Sequence, residues 1–229
     1  MTDPVQLLEI EEAIIQCERC PRLVEWRERV GRVRRRAFAG EEYWSRPVPG
    51  FGDPHARVLI VGLAPGAHGS NRTGRMFTGD DSGRLLYGAL YRAGFASQPV
   101  AISSSDGLEL KDVFITALCR CVPPDNKPAP AEIAACSTYL HQEFDALSNI
   151  EGVVALGKLA FDAMQKMLYL VAGAGEKTVF AHGAFRSAPA DKPWLLASYH
   201  PSRQNTQTGR LTVAMFDAVW QRVTELLGD

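Results

Sequence analysis

The sequence predicts a three-layer α/β/α sandwich around a mostly parallel central sheet, and three observations carry that prediction. Four short, continuous apolar runs, RVLIVG (57–62), DVFITA (112–117), GVVALG (152–157) and WLLASY (194–199), read as strands buried on both faces, because a half-exposed strand would alternate apolar and polar residues. Helical periodicity fills the stretches between them, at about 82–94, 131–147, 158–170 and 212–227. The connections are long enough for the crossovers that parallel strands require.

The elements follow in order. Val5, Leu8, Ile10, Ala13 and Ile14 recur at helical spacing behind a Thr-Asp-Pro start signal, so a first helix is expected to run to about Cys17, and Pro21 restarts the chain. Residues 37–55 hold Gly40, Gly50, Gly52, Pro47, Pro49 and Pro54 and read as an irregular connection. The strand and helix alternation then begins at residue 57. No internal repeat, low-complexity tract or linker interrupts it, so residues 1–229 are expected to form a single domain, which 46% hydrophobic residues can supply with one sizeable core.

Charge and cysteine usage narrow the function classes. The formal net charge is −1, so any nucleic-acid binding rests on local patches such as Arg27, Arg29, Arg32, Arg34, Arg35 and Arg36. No apolar run reaches the roughly 18 residues that span a bilayer, and the acidic N-terminus does not resemble a signal peptide. A cytoplasmic protein without a membrane partner is expected. Five cysteines are too few for a disulfide scaffold in a chain of this length and point to a metal.

In an open α/β sheet, ligands bind beyond the carboxyl ends of the strands. Three polar loops converge there, GLAPGAHGSNRTGRMFTGD (62–80), LCRCVPPDNKP (118–128) and HPSRQNTQTGR (200–210). Gly62, Gly66, Gly69, Gly74 and Gly79 let the first loop approach a ligand closely, yet it lacks both the Gly-Lys-Ser/Thr of a phosphate loop and a GxGxxG fingerprint. Phe77 offers a stacking platform for a planar ligand, and Asp80 a carboxylate that could orient water or face a developing positive charge. Cys17 and Cys20 form a CxxC pair, and Cys121 precedes Cys136 by 15 residues; spacing leaves zinc and an iron–sulfur cluster equally open. Cys119 reads as an ordinary buried thiol.

Those three loops, with the CVPPDNKPAPAEIAAC stretch (121–136), resemble the uracil-DNA glycosylase superfamily and specifically its iron–sulfur-containing type b members, also called family five. The resemblance spans nearly the whole chain. It implies an α/β/α fold and a 4Fe-4S cluster on Cys17, Cys20, Cys121 and Cys136, Cys121 being chosen over Cys119 because it precedes the Pro-Pro step. It also implies hydrolysis of the bond between deoxyribose and a damaged base in DNA, leaving an abasic site, after the base has been everted into a pocket. By that resemblance Phe77 stacks on the base, Asp80 orients or activates water, His200 donates to uracil O2, and Asn126 helps to hold the water. Arg72, Arg75 and Arg203, with Arg32 to Arg36, become candidates for phosphate contacts. Arg203 or Gln204 could fill the gap that the everted base leaves. The protein is expected to act as a monomer.

Departures from the pattern carry information. Many superfamily members place a carboxylate or amide just after the first strand, where this chain has Leu63 and Ala64, and an asparagine at the end of the second strand, where it has Ala117. Gly62, Ala64 and Ala117 are accordingly expected to line an apolar base pocket. A site lacking edge-specific hydrogen bonds discriminates poorly, so hypoxanthine, etheno-adducts and mismatched thymine are expected substrates beside uracil. Two rival readings are an electron carrier using the cluster itself, and a hydrolase of free nucleotides on the same fold. The absence of a GxSxG elbow after a strand argues against a Ser-His-Asp acyl hydrolase.

Overall fold

The computed structural model describes residues 4–170, 177–187 and 192–228. Its centre is a six-stranded sheet of order β1-β3-β2-β4-β6-β5, built from β1 (Phe51–Gly52), β2 (Val58–Gly62), β3 (Val113–Ala117), β4 (Gly152–Leu156), β5 (Phe185–Arg186) and β6 (Trp194–Ser198). The four long strands are mutually parallel and each is buried along its whole length, as their unbroken apolar runs require. The two-residue edge strands are antiparallel and too short to leave a pattern in the sequence.

Successive strand residues feed opposite layers. Val58 and Ile60 of β2 pack with Leu86 and Leu90 of α4 (Asp81–Arg92) and Phe216 and Trp220 of α8 (Val213–Leu227), while Leu59 and Val61 pack with Leu140 of α5 (Pro130–Ala146) and Phe161 and Met164 of α6 (Lys158–Tyr169). The chain passes from β2 to β3 on one side and then returns to β4 on the other. That reversal opens a crevice at the carboxyl end of β2, the usual ligand position in such sheets.

The N-terminal helix α1 (Pro4–Ile15) ends two residues before Cys17, and Thr2 and Asp3 of its expected start signal lie outside the described residues. It packs Ile10 and Ile14 against Tyr139 and Ala146 of α5. The restart at Pro21 opens α2 (Pro21–Val33), whose Arg22 grips Glu132 of α5 through two hydrogen bonds of 2.7 Å. Two short helices, α3 (Ser70–Thr73) and α7 (Arg203–Gln207), sit inside loops that the sequence reading left irregular. Among the described residues no helix is long and apolar enough to cross a membrane.

Candidate active site

The loop after β2 is held in a demanding shape. Phe77 has φ of 52°, a left-handed conformation that is costly for an aromatic residue and persists only where its surroundings impose it. Here the Tyr87 hydroxyl donates to the Met76 carbonyl at 2.7 Å, and α4 runs so close beneath the loop that a side chain at Gly83 would strike the Phe77 carbonyl. Asp80 caps α4, its Oδ1 accepting the Gly83 N–H at 2.9 Å. Its Oδ2 lies against Gly66 and Gly69, where any Cβ would collide with it.

This geometry opens a cavity of about 560 Å³ whose lining includes Ala64, Phe77, Asp80, Ala117, Asn126, His200, Arg203 and Gln204. Residues from all three polar loops therefore meet at one place. Phe77 and His200 lie with ring centroids 5.9 Å apart and planes inclined by 31°. Burial raises the Asp80 carboxyl above the ordinary carboxylate range, although the Gly83 N–H pulls the other way. Burial also pushes the His200 imidazole down to about 4, so it stays neutral at physiological pH. Its backbone is fixed by Asn205, which donates to the His200 carbonyl at 2.9 Å. Asn126 sits exposed at the rim on a turn with φ of 56°. Leu63, His68, Ser70, Met76 and Ser82 also line the cavity; of these, His68, Ser70 and Met76 lie in the glycine-rich stretch 62–80 but carry no signal there that marks them as cavity residues.

Three expectations need correction. Gly62 does not border the cavity; it backs the Phe77 ring, whose Cζ would stand 3.0 Å from a Cβ placed there. Arg72 is buried rather than offered to phosphate: it pairs with Glu41, donates to the His68 and Gly79 carbonyls at 2.8 and 2.9 Å, and stacks over Phe38. Arg75 is likewise internal, 5% exposed, with Asp106 accepting two hydrogen bonds of 2.8 Å and Phe51 beneath the guanidinium. Both arginines brace the loop. Arg203 and Gln204 are exposed at the cavity edge, Arg203 lying 4.0 Å from Asp81.

A second concave site lies beside α2. Cys17, Cys20, Cys121 and Cys136 border one cleft together with Arg27 and Arg120, and Cys119 does not border it. Arg27, read from sequence as part of a surface basic run, is 4% exposed and donates to the Cys121 sulfur and the Cys17 carbonyl, each at 3.1 Å. The Arg120 N–H donates to the Cys136 sulfur at 3.3 Å, and the Cys119 thiol facing that sulfur holds the Cys136 thiol below its usual range. Burial pushes the Cys121 thiol up to about 11 against the pull of Arg27. Among the described residues no group of three or more His, Cys, Asp or Glu gathers tightly enough for a single metal ion.

Comparisons with known proteins identify the family. A type-5 uracil-DNA glycosylase of Thermus thermophilus is 52% identical over 221 residues, covering 95% of this chain and 98% of that protein. A type-5 uracil-DNA glycosylase of Pyrobaculum aerophilum is 45% identical over 209 residues, 91% of this chain and 88% of the relative. A type-4 uracil-DNA glycosylase of the same organism is only 31% identical over 165 residues, 72% of this chain and 67% of that protein. The family model for the uracil DNA glycosylase superfamily matches residues 49–224, a span that includes β1 to β6 and all three loops of the cavity, and the chain belongs to that superfamily, on the side of its type-5 members.

Proposed function

We propose that this chain is a monofunctional uracil-DNA glycosylase of broad base range, acting as one domain on an everted nucleotide. The single observation that supports this reading most is the convergence of Phe77, Asp80, Asn126 and His200 around one cavity with an otherwise apolar base-side wall. The chemistry follows from their placement. The damaged base leaves the stack and rests on Phe77, in the cavity that Leu63, Ala64, Met76 and Ala117 also line. Neutral His200 presents an N–H donor to the base oxygen on which negative charge accumulates as the glycosidic bond breaks, and a desolvated donor requires no reorganisation to act. Asp80, whose Oδ1 caps α4, orients water toward the sugar carbon, with Asn126 reaching in from the rim. Arg203 and Gln204 stand where the duplex would close over the vacated position. The products are a free base and an abasic site; no strand cleavage is part of this chemistry.

Because Ala117 and Ala64 offer the base edge no hydrogen-bonding side chain, discrimination rests on shape, and hypoxanthine and etheno-adducts are accepted beside uracil. Incubation with oligonucleotides carrying uracil, hypoxanthine or ethenocytosine, followed by alkaline cleavage of abasic sites, tests both levels. Excision of uracil alone would remove the broad-range part; excision of none would remove the whole.

The cysteine cleft fits an iron–sulfur cluster. Its four sulfurs border a hollow rather than a point, unlike a zinc site, where four ligands lie about 2.0–2.3 Å from one ion. Arg27 Nε and Arg120 Nε and Nη1 are buried there without partners, and an anionic cluster would give those donors something to meet. Bound by Cys17, Cys20, Cys121 and Cys136, a 4Fe-4S cluster would cross-link the chain before α2 to the loop after β3 and to α5, with no electron transfer in base hydrolysis. A brown colour on purification, lost on iron chelation, checks this reading. A monomer working on DNA in the cytoplasm is part of the same proposal.

A further inference from the structure

His68 is a cavity group that the excision chemistry above does not use. Its ring borders the cavity, and its carbonyl accepts from Arg72 at 2.8 Å, which fixes the backbone beneath it. Tyr43, itself buried, meets the imidazole edge-on, with centroids 6.1 Å apart and planes at 81°. The Tyr43 hydroxyl lies 3.1 Å from His68 Nδ1 and also receives the Arg35 main-chain N–H at 3.4 Å. With that N–H pointing at it, the phenol proton has one acceptor among the described residues, Nδ1. We assign the phenol proton to that bond, which puts the ring proton on Nε2, and Nε2 has no hydrogen-bond partner among the described residues. Burial, followed by the charges of Arg35 and Arg72, lowers the imidazole's affinity for a second proton, so it acts through one aimed N–H.

The surroundings indicate what that N–H meets. Of the charged groups nearest it, Arg72 and Glu41 satisfy each other, while Arg35 is exposed and forms no ion pair among the described residues. An oriented donor beside an unpaired cation, on a turn containing Gly66 and Gly69, is complementary to an anion rather than to a base edge. The apolar members of the same lining, Leu63, Ala64, Met76 and Ala117, are the surfaces suited to the base.

We propose that His68, oriented by Tyr43, donates from Nε2 to a phosphodiester oxygen of the everted nucleotide and, with Arg35 beside it, positions the sugar over Asp80. This rests on the reading of the cavity as the excision site. The test is single-turnover excision by wild type, His68→Ala, His68→Gln, Tyr43→Phe and Asp80→Asn, on uracil duplexes with native linkages or with one neutral methylphosphonate on either side of the uridine. Loss of a hydrogen bond to a charged group predicts a roughly ten- to hundredfold fall in kcat/KM for His68→Ala on native DNA. His68→Gln, which keeps an N–H near the Nε2 position, should recover most of it, and Tyr43→Phe should lose several-fold. On one of the two methylphosphonate duplexes, wild type should fall toward His68→Ala and the substitution should add little. A full His68→Ala effect on both neutral-linkage duplexes, or none on native DNA, overturns the proposal. If Asp80→Asn excises uracil normally, the reading of the cavity itself is what fails.

Discussion

Gly62→Ala tests how tightly the base platform is placed. Gly62 ends β2 opposite Ala117, and its φ is not in the left-handed region, so alanine suits the backbone. Two Phe77 ring carbons, Cζ at 3.0 Å and Cε2 at 3.1 Å, are what the added methyl would crowd; the next nearest atom, the Thr116 carbonyl oxygen, lies at an ordinary 3.7 Å. Carbon atoms pack at about 3.5–4.0 Å, so the ring must retreat by a few tenths of an ångström. The positive φ of Phe77 and the Tyr87 bond to the neighbouring carbonyl prevent the main chain from absorbing that shift, and the ring must swing toward the cavity and His200. A misplacement of about 1 Å can cost two orders of magnitude in rate, so a shift of a few tenths of an ångström should lower kcat/KM for uracil excision by roughly three- to tenfold. Stability should change by no more than about 1–2 kcal/mol, the lower range for overpacking a site with one movable neighbour. Single-turnover excision and thermal melting measure the two quantities. A Gly62→Ala protein with wild-type excision would refute the claim that the Phe77 ring position, and not merely its presence, supports catalysis.

Three further outcomes follow from the same geometry. Because burial raises the Asp80 carboxyl, and the protonated acid cannot orient water as a carboxylate does, the acid limb of kcat/KM should lie above the ordinary carboxylate range; Asp80→Asn should remove both the limb and most of the activity. Arg75→Ala should destabilise the fold by about 1–3 kcal/mol, because the partly buried Asp106 keeps its backbone N–H donors, without altering the salt dependence of DNA binding, whereas Arg203→Ala should reduce the salt slope by about one and leave the melting temperature alone. Burial works against ionisation of Asp106, but the Ile102 N–H, the Arg75 guanidinium and the Leu108 and Ser103 N–H groups together hold its carboxyl below the usual range. The pair's contribution is therefore present above that range and lost as pH falls through the depressed value. Cys121→Ser should abolish the visible absorbance of the purified protein while Cys119→Ser retains it, since only Cys121 borders the cleft.

What was legible in the sequence is what local pattern encodes. A strand buried on both faces must be apolar at every position, so Val58–Gly62, Val113–Ala117, Gly152–Leu156 and Trp194–Ser198 announce themselves, and their order with intervening helices implies the sheet and the location of its ligand edge. Phe77 and Asp80 drew attention as an aromatic ring and a carboxylate on the loop after β2, whereas His200 entered through the resemblance; the structure brings all three to one cavity. The arginines were not. Whether Arg72 and Arg75 face solvent depends on Glu41 and Asp106, each 31 positions away, and nothing in the GSNRTGR stretch encodes those partners. Arg27 was hidden in the same way by Cys121, 94 positions distant. His68 escaped notice because its orienting partner, Tyr43, belongs to the connection read as irregular.

The cysteine cleft and the cavity are separate hollows, yet the chain joins them in few steps, which gives a cluster a reason to exist in a hydrolase. Arg27 holds Cys17 and Cys121 through its guanidinium, and its carbonyl accepts from the Asn71 side chain at 3.3 Å. Asn71, fully buried on α3, donates its N–H to Gly66 at 3.0 Å and accepts from the Ser45 N–H at 3.0 Å, so it anchors the turn against which Asp80 Oδ2 rests. Asn71→Ala leaves every sulfur in place and cuts that link. It should retain the visible absorbance, lose about 0.5–1.5 kcal/mol of stability with the bond to the Arg27 carbonyl, which α2 also satisfies, and lower excision more than that loss accounts for at temperatures where the protein remains folded. A double-mutant cycle with Cys121→Ser separates a brace from two independent defects: coupled sites give a double variant little worse in excision than Cys121→Ser alone, whereas additive losses would mean that the cleft supports the fold without steadying Asp80.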